Sequence, residues 1–181
     1  MSDVKHLPWI EQGYRKVAEE GFPSLTIESL ARELDKSKSS FYHYFGDLEV
    51  FESELLDFHI QRVEIFSEAI KACETIQPDV LNLFLEYKTD LFFHKQLRIN
   101  RDRAEFKKCF EKAFSKVEEA LLDKWTDYLG LGDQQLFATA FLRLITENFL
   151  LQMSERNFGE KWLNNYLEEI ASLLRQMNPG Q

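Results

Sequence analysis

Apolar residues recur every three or four positions along almost the whole chain, which predicts α-helices joined by short connections. The first apolar stripe covers about residues 8–20 and ends at Gly21 and Pro23. Two shorter stripes follow Thr26 and Ser37, and both residue types are favourable helix N-caps. Gly46 ends the third stripe, and Asp47 is placed to cap a longer fourth helix.

The helical pattern continues with longer segments after the break at Gln77-Pro78. We expect helices near residues 80–92, 106–125, 134–157 and 160–177, with a less regular basic segment at 94–103. The spacing gives about nine helices and no convincing strand. We therefore predict an all-α fold, in which a small helical module at residues 1–46 precedes a larger helical domain at 47–181.

Composition supports a helical globular protein and indicates the cellular compartment in which we expect it. Seven glycines and four prolines are few for 181 residues, so a sheet-rich fold with many turns is disfavoured. Cys73 and Cys109 lack CxxC spacing and are too few for a disulfide scaffold, which favours reduced thiols. The first residues contain no apolar signal segment, and no stretch is apolar enough to span a membrane, so we expect a cytoplasmic protein.

The short second and third helices carry the most informative pattern. A helix capped at Thr26, a break at residues 35–37 and a new helix from Lys38 fit a helix-turn-helix, whose second helix can enter the DNA major groove. Residues 36–45 contain lysines, serines, tyrosines and a histidine but no acidic residue, although the net charge of the chain is −9. Hydroxyls, lysines and helix N-terminal amides are donors that phosphate oxygens accept. The alternative is that this helix is only a solvated surface.

Charge limits how such a module would bind DNA. Residues 1–48 contain six lysines and arginines against eight aspartates and glutamates, so the chain is unsuited to coating nucleic acid non-specifically. We expect few phosphate contacts per subunit and hence a need for two subunits.

The residues Leu25-Thr26-Ile27-Glu28-Ser29-Leu30-Ala31, then Ser37 and Phe41-Tyr42-His43-Tyr44-Phe45, resemble the tetracycline-repressor-type (TetR) family of bacterial transcriptional regulators. The similarity covers about residues 9–56, while the rest agrees only in length and helical layout. It implies a homodimer that binds double-stranded operator DNA through paired helix-turn-helix modules and is released when a small molecule enters the C-terminal domain.

The resemblance also implies roles for individual residues. Thr26, Tyr42 and Tyr44 would contact phosphates, Ser37 would cap the recognition helix, and His43 would contact a base. Lys38, Ser39 and Ser40 would face base edges or backbone. Phe41 and Phe45 would be core anchors of the module.

Two features depart from the family pattern. The turn carries Leu34, Asp35 and Lys36 where the family usually has a small residue, glycine and an apolar residue; aspartate tolerates the left-handed conformation, and Lys36 adds a charge beside the duplex. Leu48 stands where the family tends to place a phosphate-binding lysine at the start of the fourth helix, so one contact is lost.

Most of the 16 phenylalanines follow the module and lie on faces that also carry leucine and tryptophan. Core packing explains each of them individually, but apolar ligand pockets also form between such helices. The candidate ligand-binding set is Phe84, Tyr87, Phe92, Phe110, Phe114, Trp125, Phe141, Arg143 and Glu147, with His94 and Asn148 as further polar groups. We expect a mostly apolar effector.

Two features of the C-terminal domain have alternative interpretations. Arg143 and Glu147 are four residues apart, so they form either a helical ion pair or a ligand contact. Cys109 follows Lys107 and Lys108, which would lower its pKa and make it a redox or electrophile sensor, unless it is an ordinary inert thiol. The last two helices are strongly amphipathic and predict dimerisation as a four-helix bundle with a second copy.

The motifs disfavour an enzyme. The four histidines show no metal-site spacing, and the sequence contains no glycine-rich phosphate loop and no GxSxG motif, so we expect neither catalytic residues, nor metal, nor cofactor. The leading hypothesis is a ligand-responsive repressor. The alternative is a helical protein-interaction module of the same architecture whose DNA binding is weak or lost.

Overall fold

The computed structural model describes residues 5–177, and the ends of the two predicted domains, residues 1–4 and 178–181, lie outside that range. Within it the chain forms nine α-helices and no strand. The helices are α1 (Leu7–Glu20), α2 (Ile27–Glu33), α3 (Lys38–Phe45), α4 (Leu48–Ala72), α5 (Leu81–Glu86), α6 (Lys88–Ile99), α7 (Ala104–Tyr128), α8 (Gln135–Gln152) and α9 (Glu160–Met177). The predicted all-α fold is confirmed. None of these helices is sufficiently long and apolar to cross a bilayer.

The predicted caps of the N-terminal helices are confirmed. The Thr26 and Ser37 hydroxyls accept the backbone N–H three residues later, at 3.1 and 3.3 Å. A carboxylate oxygen of Asp47 accepts the N–H of Val50 at 2.8 Å. Each cap satisfies a donor that the first turn of a helix leaves unpaired, so these side chains fix where α2, α3 and α4 begin.

The turn between α2 and α3 uses a left-handed aspartate, as expected. Asp35 has φ 51° and is the sole non-glycine residue of the described range with positive φ. This conformation lets the N–H of Lys36 donate to the Ala31 carbonyl at 2.9 Å, which closes the end of α2.

Two predicted boundaries are wrong. The basic segment at 94–103 is helical as far as Ile99, because Phe93 and Leu97 are fully buried four residues apart while the basic side chains lie on other faces of α6. Helix α8 ends at Gln152 and not near residue 157, because the Asn157 side chain binds the Gln152 carbonyl and the Ser154 N–H.

The chain divides into two compact units. The N-terminal unit contains the described residues up to Glu64 together with Thr89–Ala113, and the C-terminal unit contains Ile65–Lys88 and the described residues from Phe114 onward. The N-terminal unit thus includes α1–α3 and also parts of α4, α6 and α7. The largest fully buried side chains of the C-terminal unit are Ile70, Leu150, Met153 and Leu163.

An aromatic cluster fixes α3 within the N-terminal unit. Phe41 lies 5.4 Å from Trp9 of α1 and 5.1 Å from Phe51 of α4, measured between ring centroids. Phe45 lies 4.7 Å from Phe51. Trp9, Phe41 and Phe51 are fully buried, so the expected role of Phe41 and Phe45 as packing residues fits the structure.

Gly13 permits the close approach of α1 to α4. A Cβ atom at Gly13 would lie 2.6 Å from the ring carbon Cζ of Phe51. Because Phe51 is fully buried against Phe41 and Phe45, its ring has no open space into which to move.

We predict that Gly13→Ala lowers the free energy of unfolding by about 1–3 kcal/mol, the usual cost of overpacking a core. Urea denaturation measures this change. Gly159→Ala is the matched control, because a Cβ there meets no atom within 4 Å. Equal stability of the two variants would contradict the close packing at Gly13.

Candidate nucleic-acid interface

Helix α3 presents two chemically different faces. Phe41 and Phe45 point into the aromatic cluster, whereas Lys38, Tyr42 and His43 are exposed. Tyr42 retains 53% of its accessible surface, which is high for an aromatic side chain. The polar residues therefore form a continuous outward face.

The start of α3 is exposed as well. Lys36, Ser37 and Ser39 are exposed, and the half-buried Ser40 donates its hydroxyl to the Ser37 carbonyl at 2.7 Å. Thr26 at the start of α2 is also exposed. Hydroxyls and helix N-terminal amides at such an edge can donate to phosphate oxygens.

Tyr44 lies beside the beginning of α1 and is half-buried. Its ring centroid is 6.4 Å from that of His6 and 5.3 Å from that of His43. Tyr44 thus lies at the edge of the outward face, whereas Tyr42 lies within that face and is exposed.

Lys36 and Lys38 both carry their charge beside α3 but are held differently. The Lys36 ammonium lies 5.8 Å from the ring centroid of Trp9, within reach of a cation–π interaction. The Lys38 ammonium donates to Glu28 of α2 at 2.5 Å, and both side chains are more than half exposed. This contact lowers the pKa of Glu28.

Lys16, a further lysine of the module, forms ion pairs with two carboxylates of the module. Lys16 is 7% exposed and donates to Glu33 at 2.9 Å and to Glu20 at 3.1 Å. The hydrogen bond to Glu33 raises the pKa of Lys16 and lowers that of Glu33. Lys16 therefore stabilises the module and does not contribute to an outward-facing positive surface.

Sequence reasoning missed these pairings. Glu28 and Lys38 are ten residues apart on different helices, so no helical spacing rule connects them. Lys16 and Glu33 are likewise 17 residues apart. Only the geometry of the turn at Asp35 and the packing of α1 on α2 bring the charges together.

The nine candidate ligand-binding residues are divided between the two units. Phe92 and Phe110 belong to the N-terminal unit. The other seven belong to the C-terminal unit, namely Phe84, Tyr87, Phe114, Trp125, Phe141, Arg143 and Glu147. The rings of Trp125 and Phe141 stack at 6.3 Å, and the buried Trp125 Nε1 has no hydrogen-bond partner among the described residues.

Arg143 forms an ion pair with a residue of another helix. Its guanidinium donates to both carboxylate oxygens of Glu118 on α7, at 2.7 and 2.9 Å. Arg143 is 62% exposed, so this pair lies at the surface. Arg143 therefore makes a contact between α8 and α7 that helical spacing does not predict.

The redox-sensor alternative for Cys109 is wrong. Burial raises the pKa of the Cys109 thiol to about 12, and the thiol donates to the Leu56 carbonyl at 3.7 Å. Lys107 and Lys108 are exposed on other faces of α7. Cys109 is thus a protonated, inert packing residue.

Taken together, the two short capped helices, the left-handed turn and the outward polar face of α3 define a helix-turn-helix DNA-binding module. Residues 10–49 match the family model described as "Bacterial regulatory proteins, tetR family". The chain therefore contains the DNA-binding domain of a TetR-family transcriptional regulator, and the predicted resemblance is confirmed. No curated protein sequence and no solved structure gives a significant match to the chain.

We predict that Glu28→Gln strengthens DNA binding about two- to fivefold, because exposed ion pairs are weak and the freed Lys38 can then pair with phosphate. The affinity should also depend more steeply on salt, by about 0.9 in the logarithmic slope for one added phosphate contact. Fluorescence anisotropy with a labelled duplex at several salt concentrations measures both effects.

Glu19→Gln provides the control, since it removes the same charge from α1. If both variants strengthened binding equally, net charge and not the Glu28–Lys38 pair would be responsible.

Proposed function

We propose that the protein is a homodimeric, ligand-responsive repressor that binds operator DNA through α3. The observation that carries this proposal is the orientation of α3, which buries Phe41 and Phe45 and leaves Lys38, Tyr42 and His43 exposed. A recognition helix needs this arrangement, because its base-reading side chains must leave the protein surface.

Each residue of the candidate DNA-binding surface has a proposed role. Thr26, Tyr42 and Tyr44 contact phosphates, and His43 reads a base edge. Lys36 places a charge beside the duplex, and Ser37 caps α3. Three consecutive residues contact base edges or the DNA backbone, namely Lys38, Ser39 and Ser40.

Dimerisation through α8 and α9 is supported by an uncovered apolar stripe. Leu136 is 91% exposed, Leu144 66% and Leu151 61%, and they repeat along one side of α8. Leu173 of α9 is 48% exposed. A second copy would remove these side chains from water, and the equivalent stripe on that copy makes the interface self-complementary.

The proposed functional division places DNA binding in residues 1–46 and effector binding and dimerisation in residues 47–181. The effector is a small, mostly apolar molecule, whose binding releases the DNA. The aromatic side chains of the C-terminal unit and the unpaired Trp125 Nε1 support an apolar ligand that carries a hydrogen-bond acceptor. We place the protein in the cytoplasm, where operator DNA is accessible.

Selection of duplexes from a random pool tests DNA binding. The purified protein should enrich a two-part sequence whose halves are about one helical turn apart, because paired recognition helices read half-sites at that spacing. Failure of a folded dimer to retain any duplex at low salt would instead favour a protein-interaction module that has lost DNA binding.

We predict that Lys38→Ala and Tyr42→Ala weaken binding to all selected duplexes, whereas His43→Ala changes the preferred base at one position of each half-site. Phosphate contacts carry no sequence information, while a base contact contributes about 1–3 kcal/mol of discrimination. Competition titrations with single-base variants of the selected duplex separate the two behaviours. A uniform loss of affinity in His43→Ala would rule out base reading by His43.

We further predict that Leu144→Asp weakens dimerisation roughly a hundredfold, or about 2.7 kcal/mol, because it places a charge in an apolar contact. Sedimentation velocity over a concentration series measures the change. Ile65→Asp is the control, because Ile65 is 56% exposed on α4, outside the stripe. A Leu144→Asp protein as dimeric as wild type would place the dimer interface elsewhere.

A further inference from the structure

A chain of buried polar side chains links α1 of the DNA-binding module to α4 and α6. The Tyr14 hydroxyl lies 2.7 Å from Nδ1 of His59 and 2.9 Å from Oδ1 of Asp90. His59 is fully buried, and Asp90 is 5% exposed. All these residues belong to the N-terminal unit.

Asp90 is held by two partners. Arg62 donates Nε–H to Oδ1 at 2.9 Å and Nη2–H to Oδ2 at 2.7 Å, a bidentate pair. A carboxylate in such a pair only accepts hydrogen bonds, so the Tyr14 hydroxyl must donate its single proton to Asp90. Burial and the nearby Asp90 keep the phenol protonated by raising the pKa of Tyr14.

The direction of every other hydrogen bond follows from this one. Because the Tyr14 hydroxyl donates its proton to Asp90, His59 must donate Nδ1–H to the Tyr14 oxygen. Burial lowers the pKa of His59 to about 3, so its other nitrogen, Nε2, carries no proton. His94 then donates from Nδ1 to that nitrogen across 3.3 Å, while its ring stacks on Phe110 at 4.4 Å.

The chain of contacts continues from Tyr14 to the recognition helix. The Tyr14 ring stacks on Phe93 of α6 at 4.2 Å, and five residues earlier on α1 Trp9 packs against Phe41 of α3. Trp9 and Tyr14 lie about 1.4 turns apart on one short helix, so a shift of Tyr14 moves Trp9 with it.

We propose that Tyr14 is a positioning residue for DNA binding, whose hydroxyl locks α1 to α4 and α6 and thereby holds α3 in the orientation that DNA requires. This inference rests on the proposed function. Stacked rings alone can slide over one another, whereas two hydrogen bonds of fixed direction specify one register of α1.

Tyr14→Phe tests the proposal, because it removes only the hydroxyl and keeps the stacking ring. The matched control is Tyr166→Phe in the C-terminal unit, where the buried Tyr166 hydroxyl donates to the Ile145 carbonyl at 2.8 Å. Both variants lose one buried hydrogen-bonding group, and only Tyr14 lies in the module. Affinity for a duplex selected by the wild type is measured well below the unfolding temperature, with dimer content checked by sedimentation.

We expect Tyr14→Phe to bind at least fivefold more weakly than wild type with an unchanged salt slope, and Tyr166→Phe to bind within twofold of wild type. A folded, dimeric Tyr14→Phe protein with wild-type affinity would overturn the proposal. So would an equal loss of affinity in both variants, because that result indicates general destabilisation.

Two further measurements keep the proposal decidable. If Tyr14→Phe does not fold, Asp90→Asn weakens the same link, and the Arg62 guanidinium that then faces a neutral amide is 36% exposed. A threefold or larger loss of affinity supports the proposal, and wild-type affinity overturns it. If the wild type selects no duplex, the proposed function fails. Amide hydrogen exchange then tests separately whether the Tyr14 hydroxyl holds α1 against α4 and α6. Faster exchange in α1 and α3 but not α9 of Tyr14→Phe supports it, and unchanged exchange contradicts it.

The hydrogen-bond direction can be checked on the wild type by nitrogen NMR of the histidine side chains. His59 should remain neutral, with its proton on Nδ1, from pH 8 down to about pH 5, well above its lowered pKa. A His59 imidazole that titrates near its usual value of about 6.5 would show that the buried chain does not exist in solution.

Discussion

The burial of Phe41 and Phe45 is the interaction on which the DNA-facing surface depends. An eight-residue helix is too short to persist in water without tertiary contacts, so α3 exists because its two rings pack against Trp9 and Phe51. The same packing decides which side chains face outward. Rotating α3 would bury Tyr42 and His43 and expose both phenylalanines, so the apolar core of the module and its polar surface are consequences of one arrangement.

Features set by neighbouring residues could be predicted from the sequence, and features set by distant residues could not. The caps at Thr26, Ser37 and Asp47 and the left-handed turn at Asp35 involve contacts over three to five residues. The Tyr14–Asp90 hydrogen bond, by contrast, joins residues 76 positions apart. Apolar periodicity shows that a helix has a buried face, but it does not identify which polar groups meet inside.

Two of the incorrect predictions share one cause, namely that adjacent residues on a helix point in different directions. Lys107 and Lys108 precede Cys109 directly but are exposed, whereas the thiol is buried and acquires a raised pKa. The basic residues around Leu97 likewise led to the prediction of an irregular segment, although they lie on faces of α6 other than the buried one. In both segments the burial of one face determined the structure, and the mean charge of the segment was uninformative.

The electrostatics of the module make its geometry more important than its charge. Lys16 is buried between carboxylates, Lys38 is paired with Glu28, and Leu48 carries no charge. With so few cations available, each subunit of the proposed dimer would gain little from counterion release, and its affinity for DNA would depend on placing two recognition helices correctly at once. An internal polar link such as that of Tyr14 reduces the orientational freedom lost on binding, which matters most to a protein with few other sources of affinity.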